Sequence, residues 1–393
     1  MSGQPGLYVH IPFCSAICPY CDFAVTVGKR DRRIRFVESL LDEIGRVGGD
    51  SSDDPLCFPH AFDTVYFGGG TPSALDPDDL ARIVDALRRS FAIAHNARIH
   101  LEANPEDVTD ETAEAWRRLG VEFLSLGIQS LDDTELRFLG RRHRAEDARL
   151  AFEVARAAGF ATLSVDLIFG MPGHDTASWE KTLRDAASLE PDHVSCYQLT
   201  IHEGTHFARR REQGRLDELP DEGQADLFET THRVLAASGF AAYEVSNFAR
   251  GRGHESRHNR KYWDHTPYLG LGPSSHSLEG NRRWWNVRDL PEYEREIAAG
   301  RRPVAGSEEL GPSDLALEAL MLGLRTSDGV DLDRLAKRHG LLLRKRNAAV
   351  IDRMSRDGLL RDEGTRLVAT VRGWAIADAL ARAFDLADAA SSA

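Results

Sequence analysis

The sequence predicts an α/β fold: a partial (β/α)6 barrel followed by a small helical, winged-helix-like module. Three observations lead there. Six short β-rich runs alternate with amphipathic helical stretches up to about residue 245. The alternation stops near residue 300, and three helical periods with a hairpin pattern fill what remains.

The β-rich runs are 7–11, 64–67, 98–102, 123–126, 164–168 and 194–198. Helical periodicity between them includes 33–45, 77–90, 145–158 and 179–188. Strands alternating with helices build parallel βαβ units, and six repeats suit a barrel or open partial barrel better than a four-stranded sheet. In such folds the active site lies at the C-terminal ends of the strands. The polar and glycine-rich segments of this chain follow their strands directly. Gly-Arg-Arg-Pro at 300–303 reads as a linker. Beyond it, 313–324, 331–339 and 344–357 read as helices, and 359–361 with 366–369 as a hairpin. Winged-helix modules often bind DNA, but a solvated helix face is the favoured reading of the basic Arg344-Lys345-Arg346. The expected division is a core barrel at 1–250, a motif and glycine-loop region at 251–303, the helical module at 304–384, and a disordered Ala/Ser/Asp-rich tail at 385–393.

A chain of 393 residues, 42% hydrophobic and 28% charged, has an ordinary globular composition and room for two domains. No run approaches the roughly 20 apolar residues of a membrane span. Met1–Gly6 lacks the basic and apolar regions of a signal peptide. A cytoplasmic protein with at most peripheral membrane association is expected. The net charge of −13 argues against general binding to nucleic acid. Nearly all positive charge is arginine, with five lysines. Five cysteines without a leader do not suggest disulfides. Cys57 and Cys196, each alone, read as inert buried thiols.

The other three cysteines form Cys14-Ser-Ala-Ile-Cys18-Pro-Tyr-Cys21, directly after the first strand. Three thiolates on a [4Fe–4S] cubane leave one iron without a protein ligand. The amino and carboxylate groups of S-adenosylmethionine (SAM) can fill that vacancy, and cluster reduction can then cleave the sulfonium to a 5′-deoxyadenosyl radical. Ferredoxin clusters use four cysteines. Structural zinc also takes four ligands, so a zinc reading needs His10 or a distant residue. Gly68-Gly69-Gly70-Thr71-Pro72-Ser73 follows the second strand; glycines permit close approach of a ligand, and exposed amides can meet a carboxylate.

With this loop the chain resembles the radical SAM superfamily, whose fold is a TIM-like barrel. Leu-Tyr-Val-His-Ile-Pro-Phe-Cys at 7–14 narrows the likeness to the HemN-like group of oxygen-independent coproporphyrinogen III oxidases. The likeness covers essentially the whole chain. It implies a cluster held by Cys14, Cys18 and Cys21, adenine packed against Tyr20, and the methionyl group beside Gly69, Gly70 and Thr71. Tyr8, Glu102, Gln129, Arg141, Asp166 and Thr200 would line the rest of the SAM pocket.

Two features divide the group. Catalytic oxidases carry a further cysteine two residues beyond the cluster motif, where this chain has Phe23. His258-Asn259-Arg260-Lys261-Tyr262-Trp263 resembles the mark of the heme-chaperone branch, the HemW-like proteins. That likeness implies heme as a ligand, with His258 as axial ligand, Asn259 beside it, and Tyr262 and Trp263 against the macrocycle. It also implies transfer to heme-recipient proteins such as respiratory hemoproteins, an electron donor and a homodimer. The residues alone allow a plainer account, in which His258 and Asn259 bond a loop and Trp263 packs into the core. The segment 267–277, rich in glycine and hydroxyls, fits either a cofactor site or a turn. The competing functions are a coproporphyrinogen III oxidase making protoporphyrinogen IX and a heme-degrading enzyme.

Overall fold

The structure is a computed structural model that describes residues 3–49, 58 and 61–386. Six parallel strands stand side by side in chain order: β1 (Gly6–Ile11), β2 (Phe62–Gly69), β3 (Ile93–Ala103), β4 (Val121–Gln129), β5 (Thr162–Phe169) and β6 (His193–Gln198). Each run predicted from sequence lies inside one of them.

Side chains alternate across a strand, and here the alternation separates two environments. One face carries Leu7, Val9, Val65, Phe67, Leu163 and Val165, all buried in the apolar core. Helices Arg30–Gly49, Pro77–Ser90, Ala145–Ala158 and Thr176–Ser188 supply the rest of that core with residues such as Phe36, Ile83, Phe152 and Trp179. The other face carries Tyr8, His10, Tyr66, His100, Glu102, Ser125, Asp166, His193 and Ser195, which line the barrel interior. Helix starts follow local chemistry. Asp76 accepts from the Asp78 amide ahead of Pro77, and Thr109 closes a capping box on Asp110–Leu119.

The sheet continues on both sides to twelve strands. Beyond β6 come two short antiparallel strands, Asn247–Ala249 and Ala241–Ala242. Beyond β1 comes a parallel strand, Tyr268–Leu271, then antiparallel His276–Glu279, Arg282–Asn286 and Val304–Glu309. The 267–277 segment therefore contains strand as well as turn. The predicted linker at 300–303 leads into the last strand of this sheet.

The C-terminal helices are Pro312–Leu324, Leu332–His339 and Leu343–Arg356, beside a sheet of Val330–Asp331, Arg366–Ala369 and Leu360–Asp362. Arg344 bonds both Asp362 carboxylate oxygens at 2.6 Å, and Arg346 pairs with Asp385 at 3.1 Å, as suits a solvated face. Of the predicted disordered tail, Asp385 is tied by its amide to Asn347 at 2.7 Å, and 387–393 lie outside the described residues. Cys196 is a buried thiol; Cys57 lies outside the described residues. Among the described residues, no helix is long and apolar enough to cross a membrane.

Candidate functional site

The cysteine loop leaves β1 at the C-terminal end of the barrel and is gripped by distant segments. Thr26 donates its amide to the Pro12 carbonyl at 2.7 Å, and Phe207 donates to the Pro19 carbonyl at 2.9 Å. Gly140 packs so closely that a Cβ there would meet the Pro19 ring at 2.7 Å. Arg288 reaches the Asp22 carbonyl from beyond the barrel.

Cys14, Cys18 and Cys21 are unpaired and half-buried. They line a cavity of about 410 Å³ together with Tyr20, Gly69, Gly70, Thr71, Glu102, Gln129, Arg141, Asp166, Thr200 and Asn259. A hydrogen-bond relay joins two of the cysteines. Thr71 Oγ1 donates to Cys14 Sγ at 3.4 Å, Asn104 donates to Thr71 at 3.2 Å, and Arg141 donates to Asn104 at 2.5 Å and to Cys18 Sγ at 3.6 Å. Arg141 Nε is buried without a partner among the described residues.

These features fit a resident iron–sulfur cluster. Burial pushes the Cys14 thiol up, Thr71 opposing, and pushes Cys21 to about 11, opposed by the Phe23 backbone. Thiols so placed become thiolates only beside strong positive charge, which metal supplies. The zinc alternative lacks His10, the nearby fourth ligand it called on. Among the described residues, no three His, Cys, Asp or Glu side chains gather around a single-ion site. His10 is committed elsewhere: Tyr8 donates to Nδ1 at 3.1 Å, and Nε2 donates to the Ala24 carbonyl at 3.0 Å. Gly70 leaves the clearance the loop needs, since a Cβ there would lie 3.0 Å from Cys14 Sγ and 2.7 Å from the Phe13 carbonyl. Gly69 adopts φ +112°, a conformation natural to glycine. One expectation is corrected. The Gly70 and Thr71 amides already donate to the Ile11 and Phe13 carbonyls, so the glycine segment contributes space rather than free donors.

Two carboxyls sit deep in the chamber. Burial raises Glu102 to about 7, opposed by the Tyr66 hydroxyl at 2.6 Å. Burial raises Asp166 to about 6, opposed by Ser195 and by Ser125 at 3.0 Å. Both hold a proton more tightly folded than unfolded. Their penalty is absent below the ordinary carboxylate range of about 4 and grows as pH rises toward the folded values. The buried neutral histidines act in the opposite sense, so the effect is read by difference: the urea midpoint of cofactor-free Glu102→Gln relative to wild type is expected to rise between about pH 4.5 and about pH 7, where the Glu102 penalty grows. A difference that stays constant across that range would reject the assignment.

The motif at 258–263 does not converge on one site. His258 is fully buried against β2, with Nδ1 bonded to Thr64 at 2.9 Å and Nε2 to Tyr262 at 2.9 Å. Burial first, then Lys261, lowers it to about 3. Both ring nitrogens are engaged inside the protein, so His258 is a plug in the barrel floor, and its predicted role as a heme ligand is corrected. Asn259 lines the chamber, Tyr262 packs edge-on to Tyr268 in a neighbouring cleft with Tyr8, and Trp263 packs toward Tyr243. The plainer account of the motif is met only in the structural role of His258, which bonds a strand rather than a loop; Asn259 faces the chamber and Trp263 is half-buried.

Sequence reasoning missed Asn104, Tyr66, Ser125 and Ser195. A period-two reading of the strands marks the last three as interior, alternating with Val65, Leu124 and Val194. Asn104 has no such signal, because its partner Arg141 comes from another repeat.

Comparison with known proteins bears on the same residues. The chain matches the Radical SAM superfamily over residues 8–186 and the HemN C-terminal domain over residues 310–376. It is 39% identical over 386 residues to the heme chaperone HemW of Mycobacterium tuberculosis H37Rv, covering 97% of this chain and 95% of that one. It is 32% identical to the heme chaperone HemW of Bacillus subtilis, covering 93% and 95%. Coproporphyrinogen III oxidase (HemN) of Escherichia coli shares the fold, with a TM-score of 0.81 and 23% identity over 96% of this chain and 89% of that one. Loop, barrel and C-terminal module thus agree with near full-length likeness, and the chain belongs to the HemW family of the radical SAM superfamily.

Proposed function

We propose that this protein is a heme chaperone: it binds a [4Fe–4S] cluster and SAM at the barrel mouth, binds heme, and delivers it to heme-recipient proteins, respiratory hemoproteins among them. The carrying observation is the likeness to HemW proteins along 97% of the chain at 39% identity. Phe23, in place of the further cysteine of the oxidases, supports the same reading.

Cys14, Cys18 and Cys21 would hold the cluster. A bound cluster supplies an electron that can cleave the SAM sulfonium. Arg141 offers a cation for the methionyl carboxylate, and its position in the relay orients it. Glu102 and Asp166 offer acceptors for amine and ribose hydroxyls, and each accepts fully only when ionised. Tyr20 offers a face for adenine, Gln129 and Thr200 edge the chamber, and Gly69 and Gly70 keep it open. Tyr8, in the neighbouring cleft, would support the chamber wall by stacking on Tyr66.

The same proposal takes 1–250 as the core barrel, 251–303 as the motif region and 304–384 as the helical module. It includes a cytoplasmic location with at most peripheral membrane contact, an external electron donor and a homodimer. The test is anaerobic incubation of the reconstituted protein with SAM, a reductant and coproporphyrinogen III. No catalytic formation of protoporphyrinogen IX is expected. Conversion at rates of order 1 s⁻¹, ordinary for an enzyme, would establish an oxidase instead.

A further inference from the structure

With His258 sealed in the barrel floor, the heme reading lacks an axial ligand. We infer that heme sits in the cleft beside the cluster chamber, with His276 ligating its iron and Arg288 meeting a propionate. This assignment rests on the proposal that the protein binds heme.

The cleft measures about 410 Å³ and is lined by Tyr8, Phe23, Tyr262, Tyr268, His276 and Arg288, among others. Its shape follows from strand register. Tyr8 on β1 pairs with Gly270, and His276 pairs with Trp285, which pairs with Gly306. Gly270 abuts His276, since a Cβ there would lie 2.3 Å from the His276 carbonyl oxygen. One row of residues thus crosses five strands. Gly270 carries no side chain, which leaves a gap between the Tyr8 ring and the His276 ring. His276 stacks on Trp285 at 5.8 Å between centroids and 28° between planes. Trp285 in turn covers Gly306, where a Cβ would meet the indole at 2.7 Å.

This arrangement suits a flat, amphipathic dicarboxylate carrying a metal. Tyr262 and Tyr268 offer apolar surface. Phe23, 63% exposed, offers more at the rim. His10, His193 and His258 each have both ring nitrogens bonded inside the protein. His276 is exposed and, among the described residues, no hydrogen bond or ion pair engages it. Burial and Arg283 lower its basicity, Glu308 opposing, so the neutral imidazole that binds iron is the form present at neutral pH. Arg288 is exposed at the mouth, where one of its nitrogens also donates to the Asp22 carbonyl and the rest of the guanidinium faces the cleft. Of the acidic groups lining the cleft, Glu102 is raised to about 7 by burial, and Asp22 faces His202 at 3.6 Å. Phe23, Gly69 and Glu102 line both this cleft and the cluster chamber, so a heme here lies against the wall of the SAM site.

The test titrates hemin into the full-length, anaerobically reconstituted protein, read by difference Soret absorption and ferric-heme EPR. His276→Ala should weaken binding about tenfold or more and change the EPR signature. His276→Cys should shift the Soret band to a thiolate position, a change that a merely structural role would not produce. Arg288→Gln should weaken binding severalfold with the Soret position unchanged. His276 is exposed, far-UV circular dichroism reports that each variant folds, and Arg288→Lys, which keeps a cationic donor near the Asp22 carbonyl, controls for the loop contact. Wild-type binding that His276→Ala, His276→Cys and Arg288→Gln all leave intact overturns the site while the heme reading stands. Absence of hemin binding by the wild type overturns both.

Discussion

Asp63→Ala is expected to lower folding stability by about 3–5 kcal/mol, because it strands a buried cation. Asp63 stands at the start of β2 and accepts hydrogen bonds from Lys261 at 2.5 Å and Arg257 at 2.6 Å. Lys261 is only 6% exposed, and its ammonium also donates to the Gln4 carbonyl at 2.6 Å. Burial lowers the Lys261 pKa and Asp63 opposes it. Without the carboxylate, an ammonium remains in a site that disfavours charge. The loss appears in urea denaturation followed by tryptophan fluorescence. Lys261→Met in the Asp63→Ala background should restore part of it, since removing both partners leaves no orphaned charge. A loss under about 1 kcal/mol would mean that water screens the pair.

Serine at Cys14, Cys18 or Cys21 is expected to bring cluster iron from about four atoms per chain to background, because three ligands leave none in reserve. Cys196→Ser is the contrast. Its thiol is buried on the outer face of β6, away from the chamber, and iron content should stay at the wild-type value. Iron and sulfide assays after anaerobic reconstitution read both. Full iron retention in Cys18→Ser would show that another residue completes the site.

The parts legible in sequence share one property: their signal is contiguous. β1 to β6 declared themselves as short apolar runs between helical periods, and Cys14–Cys21 and Gly68–Ser73 as uninterrupted phrases. What escaped was assembled by tertiary pairing. Arg282–Asn286 (Arg-Arg-Trp-Trp-Asn) and Val304–Glu309 (Val-Ala-Gly-Ser-Glu-Glu) lack the alternation of apolar and polar residues that marks a strand. The Asn104–Arg141 bond joins residues 37 apart on successive repeats, and no local pattern announces it. His258 shows the opposite failure. Its spacing from Tyr262 is one helical turn, which places the two on one face and bonds them to each other. The spacing marked a structural pair, and the family phrase drew it toward the ligand.

The grip on the cysteine loop imposes an order in time. Cys14–Cys21 is synthesised early, yet Arg288, which holds Asp22, lies 266 residues downstream of it. At roughly 5–20 residues per second, about 13–53 s separate the two during translation. Contacts of that sequence separation form late, because closing so long a loop is entropically unfavourable until the intervening strands are in place. For that interval the three thiols belong to an unfinished barrel and stand open to oxidation. The last contact of that grip is therefore made only after nearly three quarters of the chain has been synthesised.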